Sequence, residues 1–171
     1  MPPHVALAAS ALVVVLLLML GELWVSRRHE RTLLAHGAVV PPDPVYGTMR
    51  WAYPGVFVAM AIEGALAGPE PGVAAAAGAA IFAAAKLFKL WAIATLGERW
   101  TYRVLVLPGA PLVYGGPYRL MRHPNYAGVI GELAGVALVM AARWTGPLGL
   151  LFFSWLLWRR IGAEERALRL R

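Results

Sequence analysis

The sequence contains no cysteine and few charged residues, and both features narrow the class of protein. Without cysteine the chain has no structural disulfide, no thiolate metal site and no thiol nucleophile. Charged residues make up 15% of the 171 positions and hydrophobic residues 60%, whereas a typical soluble domain is about 45–50% apolar. Acidic residues are scarcer than basic ones, nine against sixteen. The composition therefore favours a membrane protein.

The hydrophobic residues form runs long enough to predict a single all-α domain, a polytopic membrane bundle of about five helices. A spanning helix needs about 20 mostly apolar residues. The predicted spans cover residues 5–25, 51–67, 73–96, 126–142 and 147–158. Glu22 falls in the last turn of the first span. The polar stretches 97–125 and 159–171 are expected to form one site on the same side of the membrane, because long connections often carry function.

The distribution of arginine predicts the orientation of the bundle. Thirteen arginines lie in the loops after the first and third spans and in the tail, while the other side has only Arg143. Lys86 and Lys89 are expected to extend toward the arginine-rich side. Basic residues accumulate in cytoplasmic loops, so the N-terminus is predicted outside and the C-terminus in the cytoplasm, in a bacterial inner membrane. Charge arranged by topology also argues against a nucleic-acid partner. The oligomeric state is left open.

The stretch "GPYRLMRHPNY", residues 116–126, places polar groups at the mouth of the fourth span. Pro124 suits the first turn of a helix, so this helix is predicted to begin near His123–Asn125. Its free N–H groups, together with Arg122 and His123, favour binding of a carboxylate or phosphate. The alternative is that the arginines only follow membrane topology and His123 is a structural donor.

Glu132 lies about two turns inside the fourth span. A carboxylate in a membrane helix costs roughly 2.5–3.5 kcal/mol on insertion scales, so such a residue is a functional candidate. The alternative is a structural salt bridge to Lys86, Lys89 or an arginine.

The tail "RRIGAEERALRLR" places two glutamates among arginines. We expect this helix to fold over the start of the fourth span, with Glu165 directed into the site. Glu164 is expected to pair with Arg160 at four-residue spacing. The alternative is a solvated helix with local ion pairs.

Together these residues resemble the isoprenylcysteine carboxyl methyltransferase family of integral membrane enzymes. The resemblance runs from about residue 22 to 168 and is strongest in "RHPNY", residues 122–126, with Glu132 and the pair Glu164 and Glu165. The stretches "SRRHERTLLAHGAV", "YPGVFVAM" and "RRIGAEERAL" agree as well. One position departs from the family pattern, because Met60 stands where a histidine is expected.

The resemblance implies a helical bundle that binds S-adenosylmethionine at its cytoplasmic side, releases S-adenosylhomocysteine and takes a lipophilic or lipidated acceptor from the surrounding lipid. The candidate catalytic residues are His123, Glu132 and Arg160, and no metal is expected. The implied cofactor-binding residues are Gly116, Pro117, Tyr118, Arg122, His123, Pro124, Tyr126, Glu164 and Glu165.

The chemistry of the cofactor agrees with this assignment. Arg122 and His123 suit its carboxylate, the two tail glutamates suit its hydroxyl and amino groups, and tyrosine rings suit adenine or the sulfonium. The acceptor stays open. A carboxylate such as that of a prenylated cysteine needs no base, whereas a phenol or pyrone hydroxyl needs one, for which His123 or Glu132 is the nearest candidate.

Two other readings remain. NADPH-dependent membrane sterol reductases share a similar "RHPNY-x-G-E" segment, but there the acid directly follows the glycine, while three residues separate Gly128 from Glu132 here. A non-catalytic membrane protein, such as a transporter or assembly factor, would have no need of the complete set of matching positions.

Overall fold

The computed structural model describes residues 1–68 and 72–169, and this part of the chain is all-α. Five α-helices follow one another: α1 Pro3–Ala35, α2 Tyr46–Ala67, α3 Val73–Leu96, α4 Pro124–Val139 and α5 Thr145–Arg169. Two short 3-10 turns, Gly97–Arg99 and Gly116–Arg119, lie in the long connection between α3 and α4. Within the described residues the β pairing is limited to one isolated antiparallel bridge, Val39 with Val106. The predicted all-α fold is confirmed.

Some helix bounds agree with the predicted spans, α1, α2 and α5 extend beyond them, and α4 ends at Val139, before the predicted residue 142. The bounds of α3 are those predicted, and α4 begins at Pro124, within the expected start. By contrast α1 continues to Ala35, so Glu22 lies well inside the helix and is not in its last turn. Hydropathy marks only the apolar part of a helix, whereas arginine, glutamate and leucine continue it into polar sequence because their helix propensity is high.

Membrane crossing is supported for two of the helices. Pro3–Ala35 and the stretch Val73–Arg99 are long and apolar enough to span. Helix α4 has 16 residues and is therefore about 24 Å long, less than the roughly 30 Å of a hydrocarbon core. The five-span topology accordingly stays a prediction.

Helices α3 and α4 pack backbone against backbone through glycines. A Cβ atom on Gly135 would lie 2.6 Å from the backbone nitrogen of Phe82, and one on Gly78 would lie 2.6 Å from the carbonyl oxygen of Gly135. Near the other end, a Cβ atom on Gly128 would lie 2.8 Å from Cβ of Lys89. Small residues allow membrane helices to approach this closely. The close contact brings the lysines of α3 beside Glu132 of α4.

The apolar core lies between α2, α4 and α5. Phe57 and Met60 of α2 and Leu133 of α4 have no exposed surface. Met60, at the position where the resemblance led us to expect a histidine, is therefore part of the core. The ring of Tyr53 packs against Phe57 at 5.1 Å and against Phe153 of α5 at 5.0 Å, measured between ring centroids. This packing fixes the side chain of Tyr53, whose hydroxyl donates to the carboxylate of Glu132 on α4.

The start of α5 is held by a glutamate of α2. The carboxylate of Glu63 accepts hydrogen bonds from the backbone N–H groups of Trp144 at 2.9 Å and Thr145 at 2.7 Å, and from the Thr145 hydroxyl at 2.6 Å. These donors are the unpaired groups of a helix N-terminus. With its first turn fixed, α5 reaches back along the bundle to the start of α4.

Candidate active site

A cavity of about 1240 Å³ lies between α1, α2, α5 and the long connection before α4. One part of its wall is polar and is formed by Tyr118, Arg122, His123, Tyr126, Arg160, Glu164 and Glu165. Another part is apolar and includes Leu16, Met19, Leu20, Leu23, Met49, Phe153 and Leu157. A charged ligand and an apolar chain can therefore occupy one continuous space.

His123 forms the centre of the polar wall. Its ring stacks on Tyr126 with centroids 5.6 Å apart and planes inclined by 15°. Its Nδ1 atom lies 3.7 Å from Oε2 of Glu164, and its Nε2 atom lies 3.6 Å from Oε1 of Glu165. Within the described residues the buried Nε2 atom has no hydrogen-bond partner. It is thus a polar atom at the cavity wall that can still bind a ligand.

The two glutamates of α5 both face the start of α4. The hydroxyl of Tyr126 donates to Oε2 of Glu164 at 2.7 Å. Glu165 lies 3.6 Å from the guanidinium of Arg122, whose side chain is 83% exposed. The structure thus brings the tail and the "RHPNY" segment together, as expected. Both glutamates lie near His123, although Glu164 was expected to point toward Arg160 and only Glu165 toward the site.

Arg160 does not form the predicted ion pair with Glu164. Its guanidinium donates instead to the carboxylate of Asp43 and to the backbone carbonyl of Tyr102, and it lies 5.6 Å from the ring centroid of Tyr46. Arg160 is buried, and its Nε atom has no hydrogen-bond partner among the described residues. The prediction failed because it considered only neighbours on the same helix.

Asp43 was missed by the sequence analysis. Its second oxygen accepts from the backbone N–H groups of Val45 at 3.2 Å and Tyr46 at 3.1 Å, at the start of α2. Aspartate often accepts hydrogen bonds from backbone N–H groups two residues further along the chain in a turn, so "PPDP" contained a signal for this part of its role. The partner on α5 is 117 positions away, and no local pattern indicates it.

Three residues of the predicted cofactor set shape the site without lining the cavity in the described part of the chain. Gly116 has a φ of +52°, and a Cβ atom there would collide with the Thr95 hydroxyl. Pro117 and Pro124 are fully buried. Tyr118, by contrast, lines the cavity. Burial, and then the charge of Glu164, raise the pKa of its hydroxyl, so Tyr118 is a neutral phenol.

Four buried charges form a closed cluster beside the cavity: Glu22, Lys86, Lys89 and Glu132, here called the charge cluster. The Lys86 ammonium lies 2.8 Å from each carboxylate. The Lys89 ammonium lies 2.7 Å from Glu22 and 3.3 Å from Glu132. Both lysines are buried in these ion pairs, so their ammonium groups do not reach the water of the arginine-rich side as the sequence predicted. A lysine needs water for its charge only where no opposite charge is within reach, and here two carboxylates are.

Two tyrosines complete the charge cluster. The Tyr53 hydroxyl donates to Oε2 of Glu132, and the Tyr102 hydroxyl donates to Oε2 of Glu22 at 2.9 Å. Burial, and then the charge of Glu22, raise the pKa of Tyr102, so this phenol keeps its proton. Tyr53, Lys89 and Tyr102 line the cavity, whereas Glu132 is not among its lining residues in the described chain. The geometry of Glu132 matches the structural alternative, and its role as a base stays a prediction.

The segment that carries Tyr102 is fixed from several sides. The backbone N–H of Tyr102 donates to the Ser26 hydroxyl at 2.8 Å. The carbonyl of Trp100 accepts from His29 Nδ1 at 2.8 Å, and the Trp100 indole N–H donates to Asn125 Oδ1 at 3.2 Å. Asn125 belongs to the "RHPNY" segment at the start of α4. Its hydrogen bond therefore connects the segment that carries Trp100 and Tyr102 to α4.

Comparison with known proteins identifies the family to which this chain is similar. The chain matches the isoprenylcysteine carboxyl methyltransferase (ICMT) family over residues 77–170. It is 33% identical over 149 residues to the uncharacterized protein YpbQ of Bacillus subtilis, covering 87% of this chain and 89% of that protein. It is 32% identical over 150 residues to an uncharacterized protein of Haemophilus influenzae, covering 86% of each chain. No solved structure matches the chain.

The chain therefore belongs to the isoprenylcysteine carboxyl methyltransferase family, as the sequence predicted. This membership indicates a methyltransferase, and together with the two apolar helices it indicates a membrane protein. The matched region includes α4, α5 and the whole polar wall of the cavity.

Proposed function

We propose that the protein is an integral membrane methyltransferase that uses S-adenosylmethionine and transfers a methyl group to a carboxylate or hydroxyl oxygen of a lipophilic acceptor. The observation that carries this proposal is the single cavity in which His123, Glu164 and Glu165 share a space with an apolar wall. A water-soluble cofactor and an acceptor from the bilayer need such a common space, because the reacting atoms must meet at one depth.

The residues of the polar wall fit the cofactor. Its carboxylate needs hydrogen-bond donors. The Nε2 atom of His123 and the Nε atom of Arg160, which form no hydrogen bond within the part of the chain that the structure describes, are available. Its ribose hydroxyls and amino group need acceptors, which Glu164 and Glu165 supply. The rings of Tyr118 and Tyr126 offer faces that attract a sulfonium cation. When bound, S-adenosylmethionine supplies a methyl group on a good leaving group.

The chain contributes alignment and exclusion of water. Helix α5 lies over the start of α4 through the contacts of its two glutamates with Tyr126, His123 and Arg122. This arrangement covers one side of the cofactor position. The apolar wall, with Leu16, Met19 and Leu157, accepts the apolar part of the acceptor. Held in this way, acceptor and cofactor approach each other in a space from which bulk water is displaced.

We further propose that this site lies at the cytoplasmic side of a bacterial inner membrane, and the arginine distribution supports this orientation. Even without the two buried lysines, the predicted cytoplasmic side has thirteen arginines and the opposite side has one. Cytoplasmic S-adenosylmethionine then reaches the polar wall directly, and the acceptor enters laterally from the lipid.

Ligand-dependent unfolding of the purified protein tests the proposal. S-adenosylhomocysteine should raise the unfolding temperature, because a ligand that binds only the folded state stabilises it, while NADPH should not. His123→Ala should reduce the shift at a given ligand concentration, because the affinity falls. His36→Ala, at an exposed histidine at the end of α1, is the matched control and should keep it. Stabilisation by NADPH but not by S-adenosylhomocysteine would support a reductase and contradict the proposal.

A further inference from the structure

A second concave surface lies on α1, beside the large cavity. Its volume is about 470 Å³, within the range of roughly 300–1,000 Å³ that is typical of small-molecule sites. We call it the α1 groove, and its lining residues are Leu20, Leu23, Trp24, Arg27, Arg28 and Arg31. Three of these residues, Leu20, Leu23 and Arg27, also line the large cavity. The proposed function gives the groove itself no role.

The α1 groove lies on the face of the helix that points away from the bundle. Its residues follow one another at three- and four-residue intervals along most of its length, so they share one face of α1. Leu20, Trp24 and the three arginines are exposed. Glu22, Ser26 and Leu33 lie on the opposite face of the same helix and are buried. The groove is therefore open to whatever surrounds the protein.

The three arginines of the groove have no acidic partner within the described residues. The acids of this part of α1 have other contacts: Glu22 is bound by two lysines of α3, and Glu30 accepts from the Ser26 hydroxyl at 3.1 Å. The arginine ion pairs of the described chain are those of Arg122 and Arg160. Three positive charges thus lie within little more than one helical turn, and the anion that balances them must come from outside the described chain.

The order of the side chains along the groove matches the layers of a phospholipid. Leu20 is apolar, Trp24 is of the type that prefers the membrane–water interface, and the arginines follow. From Leu20 to Arg31 the helix rises about 16 Å. Helix α1 is long and apolar enough to span a membrane, and its predicted span ends at residue 25, directly before the arginines. One lipid lying along α1 can therefore place its acyl chain at Leu20 and its phosphate at the arginines.

We propose that the α1 groove binds an anionic phospholipid, with the phosphate held by Arg27, Arg28 and Arg31 and the upper acyl chain against Leu20 and Trp24. Guanidinium groups bind phosphate through paired N–H donors. A zwitterionic lipid carries its own cation beside the phosphate, and this cation is repelled by the arginines. The groove therefore selects a headgroup with net negative charge, as basic clusters beside a membrane helix do. The inference requires a membrane protein but does not depend on the methyl-transfer reaction.

Two lipids that differ only in the charge of the headgroup test the inference. The full-length protein in a neutral detergent is titrated with palmitoyl-oleoyl phosphatidylglycerol or with the phosphatidylcholine of the same chains, and native mass spectrometry counts the lipids bound to each chain. The first phosphatidylglycerol should bind at least about tenfold more tightly than the first phosphatidylcholine. Equal affinity for the two lipids would overturn the inference.

Removal of the groove charges shows where the lipid binds. The groove variant combines Arg27→Gln, Arg28→Gln and Arg31→Gln, and its affinity for phosphatidylglycerol should fall to nearly that for phosphatidylcholine. Arg28→Gln alone should lower the affinity about fivefold, the effect of one arginine near an anionic lipid. Arg28 lines the groove and not the large cavity in the described chain. The unfolding temperature without lipid is recorded for both, and the single change keeps the test valid if the triple change unfolds the protein.

A matched control variant removes the same charge elsewhere on the predicted cytoplasmic side. It combines Arg119→Gln, Arg159→Gln and Arg166→Gln, at exposed arginines that line neither the groove nor the cavity within the described residues. Its affinity for phosphatidylglycerol should fall by about twofold or less, because distant exposed charges are screened. An equal loss in the groove and control variants would mean that attraction is spread over the whole arginine-rich side, and it would overturn the inference.

Other occupants of the groove would give different results. Glycerol phosphate has the phosphate without the acyl chains and should not displace phosphatidylglycerol at equal concentration; displacement would assign the groove to a small phosphate ligand. A wild-type dimer that separates in the groove variant would assign it to a second copy of this chain. Either result would overturn the inference and leave the methyltransferase proposal standing, because binding of S-adenosylhomocysteine tests that proposal separately.

Discussion

The Tyr126 hydroxyl donates a hydrogen bond of 2.7 Å to Oε2 of Glu164, and this bond joins the start of α4 to the far part of α5. The two residues are 38 positions apart in the chain. Glu165, the next residue of α5, has no such bond; its Oε1 atom lies 3.6 Å from the Arg122 guanidinium and 3.6 Å from the His123 Nε2 atom. The two adjacent glutamates thus differ in their contacts: Glu164 accepts a hydrogen bond from Tyr126, whereas Glu165 has only longer contacts with Arg122 and His123.

Replacing each glutamate by alanine should separate closure of the site from cofactor binding. Glu164→Ala leaves the partly buried Tyr126 hydroxyl without its acceptor and should destabilise the protein by about 1 kcal/mol. Glu165→Ala breaks only long, partly exposed ion pairs, so its unfolding temperature should stay near that of the wild type. Both should weaken binding of S-adenosylhomocysteine in isothermal titration. Wild-type affinity in both variants would show that the tail is only a solvated helix.

His123 and Arg122 should differ in their effect on the cofactor, although both belong to the same motif. The Nε2 atom of His123 is buried and, among the described residues, has no hydrogen-bond partner, whereas the Arg122 side chain is 83% exposed. A charge-assisted hydrogen bond lost from a buried position costs about 1.5–3 kcal/mol, or roughly ten- to a hundredfold in affinity. An exposed charge is screened and should cost about threefold or less. Titration of His123→Ala and Arg122→Ala with S-adenosylhomocysteine measures both, and a larger loss in Arg122→Ala would contradict the assignment.

The sequence predicted the parts of the fold that depend on local pattern. Pro124 as the first residue of α4 and the whole of α3 follow from turn chemistry and hydrophobic run length, which are properties of neighbouring residues. The glycines of α3 and α4 likewise indicated close packing. The motif residues His123, Tyr126 and Glu164 were named because several unusual residues occur together in a chain where charge is rare.

What the sequence could not show were the partners that meet across the bundle. Glu22 and Lys89 are 67 positions apart, and Asp43 and Arg160 are 117 apart. The position of each side chain was predicted only from neighbouring residues in the sequence. Lys89 was therefore expected to reach toward water, and Arg160 was expected to pair with Glu164. Because four charges satisfy one another only after α1, α3 and α4 have packed, the charge cluster is a property of the fold and has no local signature.

The orientation in the membrane can be tested with terminal tags. The predicted topology, with thirteen arginines on one side and Arg143 on the other, puts the C-terminal tag in the cytoplasm and the N-terminal tag outside. Protease added to intact spheroplasts should remove the N-terminal tag and should reach the C-terminal tag only after lysis. A C-terminal tag cleaved in intact spheroplasts would invert the orientation and move the proposed cofactor site away from the cytoplasm.

The charge cluster predicts that Glu132 is needed for stability and that its loss can be compensated. Glu132→Gln leaves two ammonium groups facing only Glu22, and breaking a buried ion pair by removing one partner costs about 3–5 kcal/mol. The variant should therefore unfold at a clearly lower temperature or denaturant concentration.

Lys86→Met added to Glu132→Gln should restore a large part of the lost stability. The double change returns the cluster to zero net charge, since one carboxylate and one ammonium remain, and Lys86 does not line the cavity in the described chain. Glu98→Gln, at an exposed acid, is the control and should leave the unfolding midpoint unchanged. If Glu132 were instead a general base, Glu132→Gln would be inactive although its stability is that of the wild type. Adding Lys86→Met would then leave the methyl-transfer rate unimproved. The two explanations differ in both measurements, so unfolding midpoints and methyl-transfer rates of the single and double variants decide between them.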